Sequence, residues 1–347
     1  MHAVSKRGLF YFYAMKPIIA VSMGDYNGIG PEVAIKAFSR IDLAESTPVW
    51  VGSKTVFDFY KSSAQENLHC QLVDDETNFK PGYVHILDPF ADETILPEPG
   101  KLTGHAGKAA MLAIQTGAEL CSKSLCDALV TAPISKEAIY KAGFNFPGHT
   151  EYLAHLTQTE HVMMMLVNGQ LRVALATIHI PLKNVSESIT TELIIHQLRT
   201  LHGTLIRDFG ISKPKIAVLG LNPHAGDGGV IGTEETDIIQ PAIREAIEES
   251  INANGPFATD GFFGSHEYKK YDAILAMYHD QGLIPFKTLS FGKGVNFTAN
   301  LNIIRTSPDH GTAYQIAGQG VADESSFLEA YNLAVSMAKN RFGESAA

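Results

Sequence analysis

A chain of 347 residues exceeds the usual size of one domain, so two domains or one large α/β body are expected. With 45% hydrophobic and 18% charged residues it has a globular composition, and a formal net charge of −10 argues against general nucleic-acid binding. No stretch approaches the ~20 apolar residues of a membrane span, so a soluble protein with no membrane partner is expected.

Along the chain, residues 1–14 carry Lys6 and Arg7 before LFYFYA, a weak imitation of a signal peptide whose apolar run is too short. The chain after Met15 leads directly into a strand, which makes Met15 a candidate start and 1–14 an extension. Residues 17–23 (PIIAVSM) form a buried strand that ends at Gly24 and Asp25. The run Asn27-Gly28-Ile29-Gly30-Pro31-Glu32 then supplies a glycine turn and a helix over 32–39 with Pro at its start. Gly28-x-Gly30 lacks the third glycine of a dinucleotide fingerprint, which leaves a strand-to-helix turn whose amides could face a ligand.

Short strands come next at 48–52 and 84–88, then a helix of small and apolar residues at 103–122, and a strand at 128–132 leading into Pro133-Ile134-Ser135-Lys136. The alternation predicts a parallel α/β sheet with ligand groups where strands give way to loops. Gly148-His149-Thr150-Glu151 opens a short helix; Thr150 suits an N-cap and His149 a ligand-facing donor. Residues 162–168 and 171–177 predict a hairpin around Gly169, succeeded by a helix over 190–209. A strand at 215–221 delivers Asn222-Pro223-His224-Ala225-Gly226, and Gly232-Thr233-Glu234-Glu235 opens a helix to about 250. The strand at 273–278 repeats the device with His279-Asp280-Gln281-Gly282. The three cysteines (Cys70, Cys121, Cys126) lack a C-x-x-C pair and suit a reducing cytosol.

The stretch 276–312 concentrates chemistry: His279, Asp280, Lys287, Asn296, Arg305, Asp309 and His310 among turn-forming glycines. His179, His224 and His279 each stand at the downstream end of a predicted strand, and such ends share one sheet edge. Three neutral imidazoles suit a divalent metal with positions open for substrate. Such an ion either ionises water for hydrolysis or polarises a hydroxyl during hydride removal. Lys287 has no acid three or four residues away and Arg305 has only Asp309, beyond Pro308, so both are read as free for an anionic ligand, and Asn296 between Val295 and Phe297 suggests a directed hydrogen bond.

MGDYNGIGPEV, GHTEYL, TIHIPL, LNPHAGDGG with GTEE, YHDQGL, GVN and IRTSPDHGTAYQIAG together resemble the 4-hydroxythreonine-4-phosphate dehydrogenase family of vitamin B6 biosynthesis, in order from about residue 17 to 335. The resemblance implies a two-domain α/β/α fold like that of isocitrate and isopropylmalate dehydrogenases, with the active-site cleft between domains. It also implies a cytoplasmic homodimer with the site at the interface, NAD(P), and one divalent metal ion (zinc, magnesium or cobalt). In that family the 3-hydroxyl is oxidised and the 3-oxo acid loses CO2. Carried over by residue, His179, His224 and His279 look like metal ligands, and His149, Thr150, Lys287, Asn296 and Arg305 like substrate contacts. Lys287 and His149 are then also the catalytic candidates. His310, Gly311 and Thr312, running on to Gly318, are similar to the adenosine-side cofactor loop of isopropylmalate dehydrogenases. Tyr26 and Asn27 replace a Pro-Ala-like pair. The implied domains are 1–140 with 310–347, and 141–309. Two other readings stay open: a related dehydrogenase of phosphorylated threonate or erythronate, and a three-histidine metal hydrolase, which has no reason to carry the 310–318 loop.

Overall fold

The computed structural model describes residues 16–343 apart from 91, 92 and 94, so the expected extension at 1–14 lies outside the described residues. Twelve strands form one sheet: β1 (Ile18–Ser22), β2 (Thr47–Val51), β3 (Cys70–Leu72), β4 (Val84–Leu87), β5 (Ala128–Thr131), β6 (Met163–Asn168), β7 (Leu171–Leu175), β8 (Lys215–Leu219), β9 (Asn252–Phe257), β10 (Ala273–Ala276), β11 (Val295–Ala299) and β12 (Ile304–Pro308). Their order across the sheet is β3-β4-β2-β1-β5-β12-β11-β6-β7-β10-β8-β9. The strands β2, β5, β10 and β12 are buried along their whole length, as expected where helices cover both faces of a sheet.

The α/β expectation holds, but an all-parallel sheet does not. At the centre, β12 with β11, β11 with β6, and β6 with β7 are antiparallel. For β11 with β12 and β6 with β7 the reason is chain length: residues 300–303 and 169–170 are too few for a crossover and suffice only for a reversal. The hairpin expected at Gly169 is β6–β7. The strands β11 and β12, missed by strand–helix alternation, place Asn296 and Arg305 in the middle of the molecule. Arg305 lies inside β12, next to Leu129 of β5 in register, rather than in a loop.

Two elements differ from expectation near the site. The short helix His149–Leu156 is preceded by Gly148, so Thr150 stands in its first turn and does not cap it. The helix expected from 232 begins as a π-turn, Glu235–Ile239, before the α-helix Gln240–Glu248. Glu235 explains the local path. Its buried carboxylate accepts hydrogen bonds from the amides of Leu221 and Asn222, each at 2.7 Å, and from Asn222 Nδ2 at 2.9 Å. This fixes the exit of β8, beyond which His224, Ala225, Gly226, Asp227 and Gly228 all adopt positive φ.

Candidate active site

The end of β5 holds the floor of the site. Arg305 is 2% exposed, and its guanidinium donates from Nε and Nη2 to Thr131 Oγ1 at 3.0 and 2.7 Å and from Nη1 to Thr298 Oγ1 at 3.1 Å. Among the described residues no carboxylate pairs with it; Glu151 acts on it only from beyond ion-pair distance. Burial pulls its pKa down to about 9, so the group still carries its charge near neutral pH. A buried cation held only by hydroxyls is costly unless an anion arrives.

Arg305 lines a cavity of about 350 Å³ together with His149, Thr150, Asn296, Lys287 and Lys136. Three buried polar atoms around it have no partner: His149 Nε2, Asn296 Oδ1 and His310 Nε2. His149 bonds the backbone of Ala132, and burial, reinforced by Arg305, holds its pKa well below the ordinary value. With Nε2 orphaned, the ring must use Nδ1–H toward the Ala132 carbonyl, leaving the Nε2 lone pair turned inward as an acceptor. Thr150 Oγ1 lies 3.5 Å from Thr298 Oγ1, which links it to the hydroxyl that supports Arg305. Lys287, on the helix His279–Ser290, is not the unpaired cation its sequence neighbours suggested: its Nζ stands 3.3 Å from Asp309 Oδ1, a partner the fold brings in from the end of β12.

The three histidines converge only in part. The rings of His179 and His279 lie 5.9 Å apart. Asp280 Oδ1 is 2.7 Å from His279 Nδ1, an arrangement that leaves Nε2 open to a ligand. His179 Nδ1 lies 3.9 Å from Glu151, and desolvation with the nearby Lys136 lowers its pKa, favouring the neutral donor form. His224 instead lines a separate cavity of about 440 Å³ with Tyr278, Asp280 and Gln281. Among the described residues no three His, Cys, Asp or Glu side chains gather to hold a metal ion. Strand-end placement brought two histidines together; the left-handed turn after β8 carries the third elsewhere. The two that meet fit part of a donor set for a divalent ion.

Gly311 and His310 line the Arg305 cavity, and His310 also faces a neighbouring cavity of about 320 Å³ with Lys293, Asp323 and Ser325. Thr312 is held from behind: its carbonyl accepts the amide of Ile29 at 2.9 Å, and a Cβ on Gly28 would meet that oxygen at 2.8 Å. The glycine turn after β1 therefore does not offer its amides to a ligand, as its sequence allowed; it packs against the 310–312 segment. Tyr314 donates to the buried Asp25 carboxylate at 2.6 Å, which ties the same loop to the end of β1.

Sequence reasoning missed Thr131, Lys136 and Glu151. The signal was present, because the strand-end rule applied to the histidines also marks the residues beyond β5. The three cysteines form no disulfide, and among the described residues no helix is long and apolar enough to cross a membrane.

A family model described as pyridoxal phosphate biosynthetic protein PdxA matches residues 44–334. The chain is 45% identical over 332 residues to the 4-hydroxythreonine-4-phosphate dehydrogenase of Bacteroides thetaiotaomicron, across 95% of this chain and 91% of that one. It is 44% identical over 335 residues to the protein of the same name from Prosthecochloris aestuarii, across 94% and 98%. The crystal structure of 4-hydroxythreonine-4-phosphate dehydrogenase from Klebsiella pneumoniae is similar with a TM-score of 0.83 at 38% identity, covering 94% of this chain and 99% of that one. Sequence motifs, fold and extent of match agree, and the chain belongs to the pyridoxal phosphate biosynthetic protein PdxA family, a family of dehydrogenases.

Proposed function

We propose that the protein oxidises 4-phosphooxy-L-threonine at its 3-hydroxyl with NAD(P) and releases CO2, giving 3-amino-2-oxopropyl phosphate for pyridoxal phosphate biosynthesis in the cytoplasm. The observation that carries this reading is Arg305, a buried cation without a carboxylate partner, facing a cavity rimmed by unpaired polar atoms. Arg305 and Lys287 take the phosphate, Lys287 exchanging Asp309 for it. Asn296 and Thr150 orient the chain of the substrate, and the Nε2 lone pair of His149 accepts the proton of the 3-hydroxyl as C3 gives up its hydride. Phosphate on Arg305 cancels a charge that depresses His149, so the imidazole becomes a stronger base once substrate is seated. The C1–C2 bond then breaks, its electrons pass toward the C3 oxygen as CO2 leaves, and a proton returned to C2 gives the aminoketone phosphate.

His310, Gly311 and Thr312 would hold the adenosine side of a nicotinamide cofactor, which would supply the hydride acceptor when bound. A divalent ion (zinc, magnesium or cobalt) at His179, His279 and His224 would supply Lewis-acid polarisation of the substrate oxygen. Because one chain gathers only two of these histidines, we assign the third to a second copy in a homodimer. Exposed apolar side chains beside the histidines (Leu182, Val230, Ile231, Ile284) support an interface there. A division into lobes near residues 140 and 309 is supported by a strand order that keeps β1 to β5 on one side and β6 to β10 on the other.

Glu151, lining the cavity, favours a substrate with a 2-ammonium group over the phosphorylated threonate or erythronate alternative. The test is NADH or NADPH formation with 4-phosphooxy-L-threonine and with 4-phosphoerythronate, in the presence of divalent metal. Faster turnover of the amino acid is expected. Turnover of erythronate phosphate alone would move the protein to the related dehydrogenases, and cofactor-independent hydrolysis would remove it from this chemistry.

A further inference from the structure

The site contains a third cation to which the proposed reaction gives no role. Lys136 lines the same cavity as Arg305 and His179, yet among the described residues it has no carboxylate at ion-pair distance. Its neighbour Glu137 is committed to Lys141 at 2.8 Å. Lys136 is also the first residue of the helix Lys136–Lys141, capped by Ser135, where the helix end favours an acid over a base. Neither local pairing nor helix stability accounts for a lysine here.

We propose that Lys136 recognises the carboxylate of the substrate, the group that leaves as CO2. The inference rests on the substrate proposed for this site and adds the residue that reads its second anion. Arg305 is buried at the floor of the cavity, behind Thr131 and Thr298, and takes the phosphate. Lys136 comes after Thr131 along the same segment, at the exposed rim beside His179, and a carboxylate held there has a way out to solvent once the C1–C2 bond breaks. Two cations at two depths thus measure both ends of one small molecule, and the site selects phosphate esters that also bear a carboxylate. The long, flexible stem of Lys136 lets the ammonium follow the carboxylate without fixing it in a fork.

The test uses two compounds that cannot be oxidised because they lack the 3-hydroxyl: O-phospho-L-homoserine, which has phosphate, amine and carboxylate, and 3-aminopropyl phosphate, which lacks only the carboxylate. Their dissociation constants are measured by calorimetry for the intact protein, Lys136→Met and Lys136→Arg. The intact protein should favour O-phospho-L-homoserine by about 10–150-fold, the range of a charge-assisted hydrogen bond. In Lys136→Met that preference should collapse toward unity with 3-aminopropyl phosphate binding unchanged, and Lys136→Arg should restore part of it. Equal weakening of both compounds in Lys136→Met would mean that the lysine reads the phosphate or supports the fold, and an undiminished preference would mean that it reads nothing; either overturns the proposal alone. Failure of the intact protein to bind either compound would overturn the substrate reading and this inference with it.

Discussion

At the scale of single residues, the site is defined by polar groups that the fold leaves unfinished. A guanidinium buried with two threonine hydroxyls, and an imidazole whose Nε2 meets nothing, cost stability in the free protein. Arg305→Met removes the charge but keeps apolar bulk between Thr131 and Thr298. We expect this variant to fold with a thermal midpoint no lower than the parent, while kcat/KM falls by ~10–150-fold or more, the range of a lost charge-assisted hydrogen bond. Steady-state assays beside thermal unfolding check it; a folded variant that keeps full activity would remove Arg305 from substrate binding. NAD(P) affinity should change little, since the 310–312 segment stands on different supports. Asn296 set between apolar neighbours, His149 beside Thr150 and the cation Arg305 were marked as candidates in the sequence, and the fold brings the three to one cavity. The Lys287–Asp309 pair was not legible there, because its two members come from a helix and a strand end that meet only in the folded sheet.

At the scale of elements, strands, helices and strand-end loops together carry the candidate residues, and a buried carboxylate shapes one of the loops. Glu235 illustrates this. Both of its oxygens are spent on the backbone and side chain where β8 ends, and the positive-φ run that presents His224 begins just beyond. In Glu235→Gln the new amide would meet the Asn222 amide donor to donor. A loss of about 1–3 kcal/mol in denaturant unfolding is expected, the penalty for an unsatisfied buried group, together with weaker metal binding. Unchanged stability would show that the run holds its shape without this clamp. The helix Gly104–Ser122 does similar work for Lys136, since a Cβ on Gly107 would meet Ala138 carbonyl carbon and oxygen at 2.3 Å. The stretch 276–312 concentrated most of the candidate residues in sequence. The segment 131–136 contributes as much: Thr131 supports Arg305, Ala132 orients His149, Pro133 accepts the Asp25 amide, and Lys136 reaches the rim.

At the scale of the whole molecule, one twelve-stranded sheet carries the site at its middle, and helix-to-helix ties brace it. Asp208, fully buried, is held by Arg207 and by Arg341 of the C-terminal helix Ser325–Phe342, which packs on β12. The proposed homodimer makes a specific prediction. His179→Ala and His224→Ala should each be inactive, yet after subunit exchange their mixture should regain about a quarter of the parental activity, because half of the dimers then hold one intact site in two. No recovery after verified exchange would place all three histidines within one chain. The sequence by itself determined the α/β class, most of the apolar strands, the hairpin at Gly169 and the candidate residues of the site, because those follow from local periodicity and from polar groups set among apolar neighbours. Only the tertiary structure decided that the central strands run antiparallel, that Arg305 is buried without a carboxylate, and that His224 parts from His179 and His279. Each of these depends on which distant segments become neighbours across the sheet, and on turns such as 224–228 whose direction no local pattern specifies.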